Sequence, residues 1–305
     1  MDKQIIQRIA MILSLSLSFQ YSLQAQDSTP QAEFENYSAT SKNYDSTRIP
    51  LGIDIIKNQL ASLPCGISAV KLLDCGCGSG NYLIPLAEVV GHAYGIDLNQ
   101  GMLLKARQKM GARKNISLQQ GSLLALPYAD ASFNGLILNQ VLHHLDSPET
   151  VKTHSNTRLF LHEAARVLTK DGLIIINGST HEQWRDGFWF YSLLPAARDK
   201  LIARHIGLPA LEAMLIEENF RIKEVITPIQ EVLQGDDYFN PAGVLEKHVR
   251  DGDSTWGMAS EKERSDALLT ISQMAKQGTL MQFFRKRDAL RKIIGQTVFI
   301  IAQKN

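Results

Sequence analysis

The sequence predicts an α/β fold: a doubly wound, mostly parallel sheet of seven strands, with a helical insertion between strands six and seven. Short apolar runs ending in turn residues alternate with segments of helical periodicity, the pattern of strands covered by helices. The first such run, Val70 to Asp74, passes through Cys75 into the turn Gly76-Cys77-Gly78-Ser79-Gly80, with helix-forming residues after it. A second apolar run, Ala93 to Ile96, ends in Asp97 about twenty residues further on.

The chain of 305 residues, 44% of them hydrophobic, can hold one large domain or one domain with an inserted subdomain. A formal net charge of +1, with Lys and Arg scattered, argues against a nucleic-acid partner. Arg285-Lys286-Arg287 and Arg291-Lys292 read as a solvated helix face. Three cysteines, two of them in the glycine turn, are too few for a disulfide framework, so a reducing, cytoplasmic setting is expected.

Lys3 and Arg8 precede the apolar run Ile9 to Phe19, and Ala25-Gln26 resembles a cleavage site. Residues 1–35 are therefore read as a targeting-like or disordered extension, and residues 36–305 as the domain. Export or organellar delivery through residues 1–25 is the alternative location. The apolar run is short for a membrane span.

The glycine turn lets backbone approach a ligand closely, and a carboxylate at Asp97 can accept both hydroxyls of a ribose. A dinucleotide site calls for Gly-x-Gly-x-x-Gly, whereas here the third glycine comes one residue early and Asn81 takes its expected place. Asp74 would repel a phosphate and welcome a cationic amino acid group. These features favour S-adenosylmethionine over a nicotinamide dinucleotide.

On these residues the chain resembles the class I S-adenosylmethionine-dependent methyltransferases, within them the small-molecule group that includes ubiquinone and menaquinone biosynthesis enzymes. The matching stretches are Leu72 to Tyr82, Gly95 to Met102, Gly121 to Phe133, Asn139 to Leu145 and Leu168 to Leu173, in the family's order. The resemblance implies a Rossmann-like methyltransferase fold with strands six and seven as an antiparallel edge. It also implies S-adenosyl-L-methionine as cofactor and in-line methyl transfer to a small-molecule acceptor, without a metal. A non-catalytic module that binds the cofactor and acts through its insertion is the alternative. Cofactor contacts are expected from Asp74, Gly76, Cys77, Gly78, Gly80, Asp97, Leu98, Met102, Ser122, Leu123, Asn139 and Gln140. Ser122 stands where relatives carry an acid for the adenine amino group, and Asn134 where an acid is usual.

Along the chain, a helix is expected near Gly52 to Leu60. The lead-in before it resembles a cofactor lid that would bring Tyr44 and Arg48 to the substrate; otherwise Asp45 or Ser46 caps a helix. Helices follow at Asn81 to Val90 and Gln100 to Met110, then strands at Asn115 to Gln119 and Gly135 to Asn139. A helix at Leu159 to Leu168, a turn at Lys170-Asp171-Gly172 and a strand at Leu173 to Asn177 come next. Past these, Leu208 to Asn219 reads as helix, and Phe220 to Thr227 and Gln296 to Ala302 as strands six and seven. The link from Pro228 to Gly295 is too long for a loop. Within it, Pro241 to Arg250 and Ser260 to Gln277 read as helices around a turn at Asp251 to Gly257.

Acceptor-side candidates come from two places. The segment after strand five offers His181 and Glu182 as bases, with His144 behind them, and Arg185 and Tyr191 as substrate contacts. A capped helix burying its aromatics explains the same residues, and His143 and His144 equally read as one packing and one surface histidine. If the insertion is a lid, Asp253 and Trp256 face the pocket; an oligomer interface or a packing annex is the alternative.

Overall fold

The computed structural model describes residues 50–147 and 149–305. The expected extension and the lead-in with Tyr44 and Arg48 lie outside the described residues.

Seven strands form one sheet in the order β3-β2-β1-β4-β5-β7-β6. They are β1 (Lys71–Cys75), β2 (His92–Asp97), β3 (Ile116–Gln120), β4 (Phe133–Asn139), β5 (Leu168–Gly178), β6 (Phe220–Ile226) and β7 (Val298–Lys304). The first five are parallel, and β7 runs antiparallel to both β5 and β6. Alternation of side chains sends neighbouring residues to opposite faces. Leu73, Leu136 and Ile174 join Phe160 and Leu161 in one core, whereas Leu72, Ile137 and Ile175 join Ile56, Leu60, Leu83 and Leu86 in another. Strands buried on both faces need near-continuous apolar runs, which is how β1 and β4 read.

The covering helices are α1 (Ile53–Ala61), α2 (Leu83–Ala87), α3 (Gln100–Met110), α4 (Ser155–Val167), α5 (His181–Asp186), α6 (Pro195–Ala203) and α7 (Leu208–Glu217). Helix α2 is shorter than expected, because the chain stays in turns through Tyr82 and Pro85 is accommodated only in a first turn. The expected turn at residues 170–172 is instead a bulge inside β5. Phe133 pairs with Leu168 and Gly135 with Leu173, and Asp171 takes φ 60°.

The insertion holds 3-10 turns at Gly235–Phe239 and Gly243–Leu245, then α8 (Lys247–Arg250), α9 (Ser254–Met258), α10 (Glu261–Lys276) and α11 (Leu280–Ile294). The single helix expected at residues 241–250 is thus broken, and the expected turn at 251–257 contains α9, capped by Asp253 Oδ1 accepting from Thr255 N at 2.9 Å. Arg285 and Lys286 are exposed as expected on α11. Arg291 is not: it is buried, bonded to Asp288 Oδ1 at 2.5 Å, and donates to the Ile229 carbonyl at 2.6 Å.

A third apolar core joins the insertion to the segment after β5. Trp184, Phe188, Trp189, Phe190 and Tyr191 pack with Tyr238, Trp256, Ile271 and Phe284. Among the described residues no helix is long and apolar enough to cross a membrane.

Candidate cofactor cleft

Strand β1 has β2 on one side and β4 on the other, so the connections that leave β1 and β4 run in opposite directions, to β2 and to β5. In doubly wound sheets a crevice opens at this switch point, outside the carboxyl ends of the strands. Three chain segments meet there: the glycine turn after β1, the end of β2, and Asn139-Gln140 after β4. The first and last of these wall a cleft of about 590 Å³, counting its open mouth, and the end of β2 is bonded to the turn through Asp97 and Gly78.

The turn is anchored to β2 by Gly76 N and Cys77 N, which donate to the Ile96 carbonyl at 2.8 and 3.0 Å. Gly76 has φ 72°, and a Cβ there would lie 2.7 Å from the Val141 side chain. Only glycine satisfies both demands. From the other side, Lys109 Nζ of α3 donates to Ser79 Oγ at 3.0 Å and Asn81 Oδ1 at 2.8 Å.

Asp97 is held by backbone. Its Oδ2 accepts from Gly78 N and its Oδ1 from Asn99 N, both at 2.8 Å. Each carboxylate oxygen keeps a further lone pair, enough for a vicinal diol. Burial raises its pKa, opposed by those two N–H groups.

Asp74 differs. It is 2% exposed, its Oδ2 has no hydrogen-bond partner, and burial, reinforced by the charge of Asp97, pushes its pKa up to about 8. Both amide atoms of Asn139 are likewise sealed from solvent without partners. Buried polar atoms are normally paired, so this end of the cleft fits a ligand that carries both donors and acceptors. The ammonium and carboxylate of an amino acid supply them, and with the diol site at Asp97 the residues fit S-adenosylmethionine.

The structure brings Asp74, Gly76, Cys77, Gly78, Asn139 and Gln140 together as cleft walls, with Pro50, Ser79, Asn81, Tyr82 and Leu233. Of the other expected contacts, Gly80 closes the turn, donating to the Cys77 carbonyl at 2.9 Å, and Leu98 is an exposed apolar residue next to Asp97. Met102 is buried, its Cε 3.5 Å from where a Gly78 Cβ would be, so it supports the turn from behind. Gly121 N donates to the Asp97 carbonyl at 3.2 Å, bringing the β3 end to the rim. There Ser122 is exposed, its Oγ accepting from Leu124 N at 3.2 Å, and Leu123 is core.

The wall residues missed from sequence have different origins. Ser79, Asn81 and Tyr82 adjoin the glycines and were legible as part of the turn. Leu233 belongs to the insertion and carries no motif; its N–H donates to Gln296 Oε1 at 2.8 Å, while Gln296 Nε2 donates to the Gly187 carbonyl at 3.0 Å.

The acceptor-side candidates stand apart from these walls. Tyr191 and Trp256 are 2% exposed within the third core, Trp256 stacked on Phe190 at 5.7 Å and Tyr191 bonded to Asp253 Oδ2 at 3.1 Å. Their expected place facing a pocket is corrected: large aromatic surfaces are sequestered by packing with the insertion. Arg185 and Glu182 are exposed on α5. His181 Nε2 donates to the His205 carbonyl at 2.7 Å.

His143 and His144 are both half-buried, correcting the reading of one as a surface residue. Their rings lie 3.9 Å apart, with His143 stacked on His205 at 4.6 Å. Burial holds His205 down to about 3, so its ring is neutral, with Nδ1 donating to the Leu201 carbonyl at 2.7 Å. Among the described residues no group of three or more His, Cys, Asp or Glu side chains could hold a metal ion.

Residues 73–176 match the family model described as "Methyltransferase domain". The chain is 27% identical over 155 residues to the demethylmenaquinone methyltransferase of Lactococcus lactis subsp. lactis, covering 48% of this chain and 58% of that protein. It is 31% identical over 144 residues to the enzyme of the same name from Geobacillus stearothermophilus, covering 44% and 57%. The chain thus spans a little over half the length of these curated relatives. Among solved structures, a putative methyltransferase from an antibiotic biosynthesis pathway of Anabaena variabilis shares the fold, with TM-score 0.65 and 20% identity over 85% of this chain and 99% of that one. Residues 73–176 therefore carry a methyltransferase domain, on a fold shared with a solved methyltransferase structure.

Proposed function

We propose that this protein transfers the methyl group of S-adenosylmethionine to a small-molecule acceptor. The observation that carries the reading is a cleft walled by the unpartnered Asp74 Oδ2 and Asn139 amide, with the carboxylate of Asp97 pinned to the glycine turn of that wall at Gly78. S-adenosylmethionine supplies an activated methyl on a cationic sulfur; the chain's task is to align, exclude water and accept a proton where the acceptor loses one. Asp97 holds the ribose, Asp74 and Asn139 hold the amino acid, and Leu233 of the insertion closes one wall. Because two relatives are named demethylmenaquinone methyltransferase, a reduced naphthoquinone is the first acceptor to offer.

For an acceptor that loses a proton, we assign the base first to His144, in the segment that follows Asn139 and Gln140. His181, whose Nε2 donates to the His205 carbonyl, and the exposed Glu182 are the alternative bases. The test is label transfer from methyl-labelled S-adenosylmethionine to reduced naphthoquinones, phenols and amines. Transfer to one class is the expected result. Tight cofactor binding with no product from a metabolite extract would favour the alternative of a non-catalytic binding module.

A further inference from the structure

Gln140 follows β4 with φ 55°, a conformation that side chains other than glycine rarely adopt. Such strain at the wall of a cleft points to a positional demand. Its backbone N–H donates to the Asn177 carbonyl at 2.9 Å. Its side-chain nitrogen is used twice, donating to Asn177 Oδ1 at 2.9 Å and to Thr297 Oγ1 at 3.1 Å.

The direction of these bonds is set by their neighbours. Thr297, fully buried, donates its hydroxyl hydrogen to the Gly178 carbonyl at 2.6 Å, so its oxygen can only accept from the amides. Asn177 Nδ2 gives to that oxygen at 2.8 Å and faces the Val298 carbonyl at 3.4 Å, which leaves Asn177 Oδ1 as an acceptor too. Turning the Gln140 amide over would set its oxygen against two acceptors. Its nitrogen is therefore committed to β5 and the β7 edge, and its carbonyl oxygen is what it offers to the cleft it lines.

A carbonyl fixed in direction is the negative end of a dipole, and in a partly dehydrated cleft it acts on a charge with little screening. Asp74 and Asn139 mark the amino acid end, with Asp97 at the ribose, so the sulfur lies between them. We propose that Gln140 is a positioning residue that reads the charge on that sulfur. Its carbonyl stabilises the sulfonium of S-adenosylmethionine and its polarised C–H groups, and gives little to the neutral thioether of S-adenosylhomocysteine. The cleft thereby favours the methyl-bearing cofactor over its demethylated product. This rests on reading the cleft as an S-adenosylmethionine site.

The experiment is calorimetric titration of the full chain with S-adenosylmethionine and, separately, S-adenosylhomocysteine, in wild type, Gln140→Leu and Thr297→Val. Gln140→Leu is expected to lower affinity for S-adenosylmethionine about 10-fold while moving that for S-adenosylhomocysteine by no more than about 2-fold. Thr297→Val, nearly isosteric, gives a smaller drop of the same kind by freeing the amide to turn, and thermal melts establish that each variant is folded. Equal losses for both ligands in Gln140→Leu overturn the inference while leaving the cleft assignment standing. If neither ligand binds the wild type, the cleft reading fails and takes the inference with it.

Discussion

Asp74 and Asp97 end neighbouring strands, yet their surroundings set them different tasks. Asp97 has a backbone N–H on each oxygen, which opposes the upward pull of burial on its pKa and fixes both oxygens as acceptors for a ribose diol. Asp97→Ala should remove charge-assisted bonds worth about 1.5 to 3 kcal/mol; calorimetry with S-adenosylhomocysteine should show affinity down by an order of magnitude or more. Unchanged affinity would remove Asp97 from the site. Asp74 keeps its proton up to about pH 8, because burial and the nearby Asp97 charge both disfavour its anion. The native state thus holds this proton more tightly than the unfolded chain. Its contribution to stability is complete below the ordinary carboxyl range and is lost as pH rises toward 8. A bound ammonium reverses that loss by pairing with the anion. The thermal stabilisation given by S-adenosylhomocysteine should therefore grow between pH 6 and pH 8 in wild type and stay flat in Asp74→Asn. A flat profile in wild type would count against an ammonium at Asp74.

At the scale of elements, the cleft depends on how the strand ends are tied to neighbouring segments. The turn after β1 needs glycine at residue 76 both for its φ and for room beside Val141. Gly76→Ala should cost about 1 to 3 kcal/mol in denaturant unfolding, and adding Val141→Ala should recover only the steric share. Helix α5 is joined to the β7 entry through Gln183. This buried residue completes the capping box with Thr180 and donates through Nε2 to the Ile294 and Thr297 carbonyls at 2.8 and 3.0 Å. Gln183→Leu leaves two carbonyls and a cap unsatisfied, an expected loss of about 2 to 3 kcal/mol. A loss under about 0.5 kcal/mol would mean that water replaces it there.

Across the whole molecule, the insertion shares a core with the chain that follows β5, so its removal uncovers Trp184, Phe188, Trp189, Phe190 and Tyr191. A chain with residues 234–290 replaced by a short linker should bind a hydrophobic dye and aggregate, because exposed apolar patches of that size drive association. A soluble, monomeric truncation that still binds S-adenosylhomocysteine would show that the insertion is a detachable cover. The same packing makes Leu233 a cleft wall: the insertion reaches the cofactor side by a short tether pinned at Gln296, while its helices bury the aromatics.

The sheet, its order of elements and the cofactor turn were legible in the residues because each rests on local rules. Apolar runs of strand length, glycines at tight turns, and an acid at a strand end express preferences of a few neighbouring residues. The same holds for α3, matched residue for residue, and for α10, expected at Ser260 to Gln277 and found at Glu261–Lys276. The features decided by the tertiary structure are long-range. Whether Tyr191 and Trp256 face a ligand or each other's core depends on which segments, 62 residues apart at Tyr191 and Asp253, come to share one apolar volume. Likewise Gln140 reads in sequence as one more polar residue after a strand. Its fixed orientation arises only when Asn177 and Thr297, 37 and 157 residues away, are brought beside it by the pairing of β4, β5 and β7. Periodicity reports what a residue prefers locally; the direction in which a buried amide points is set by partners that only folding brings into reach.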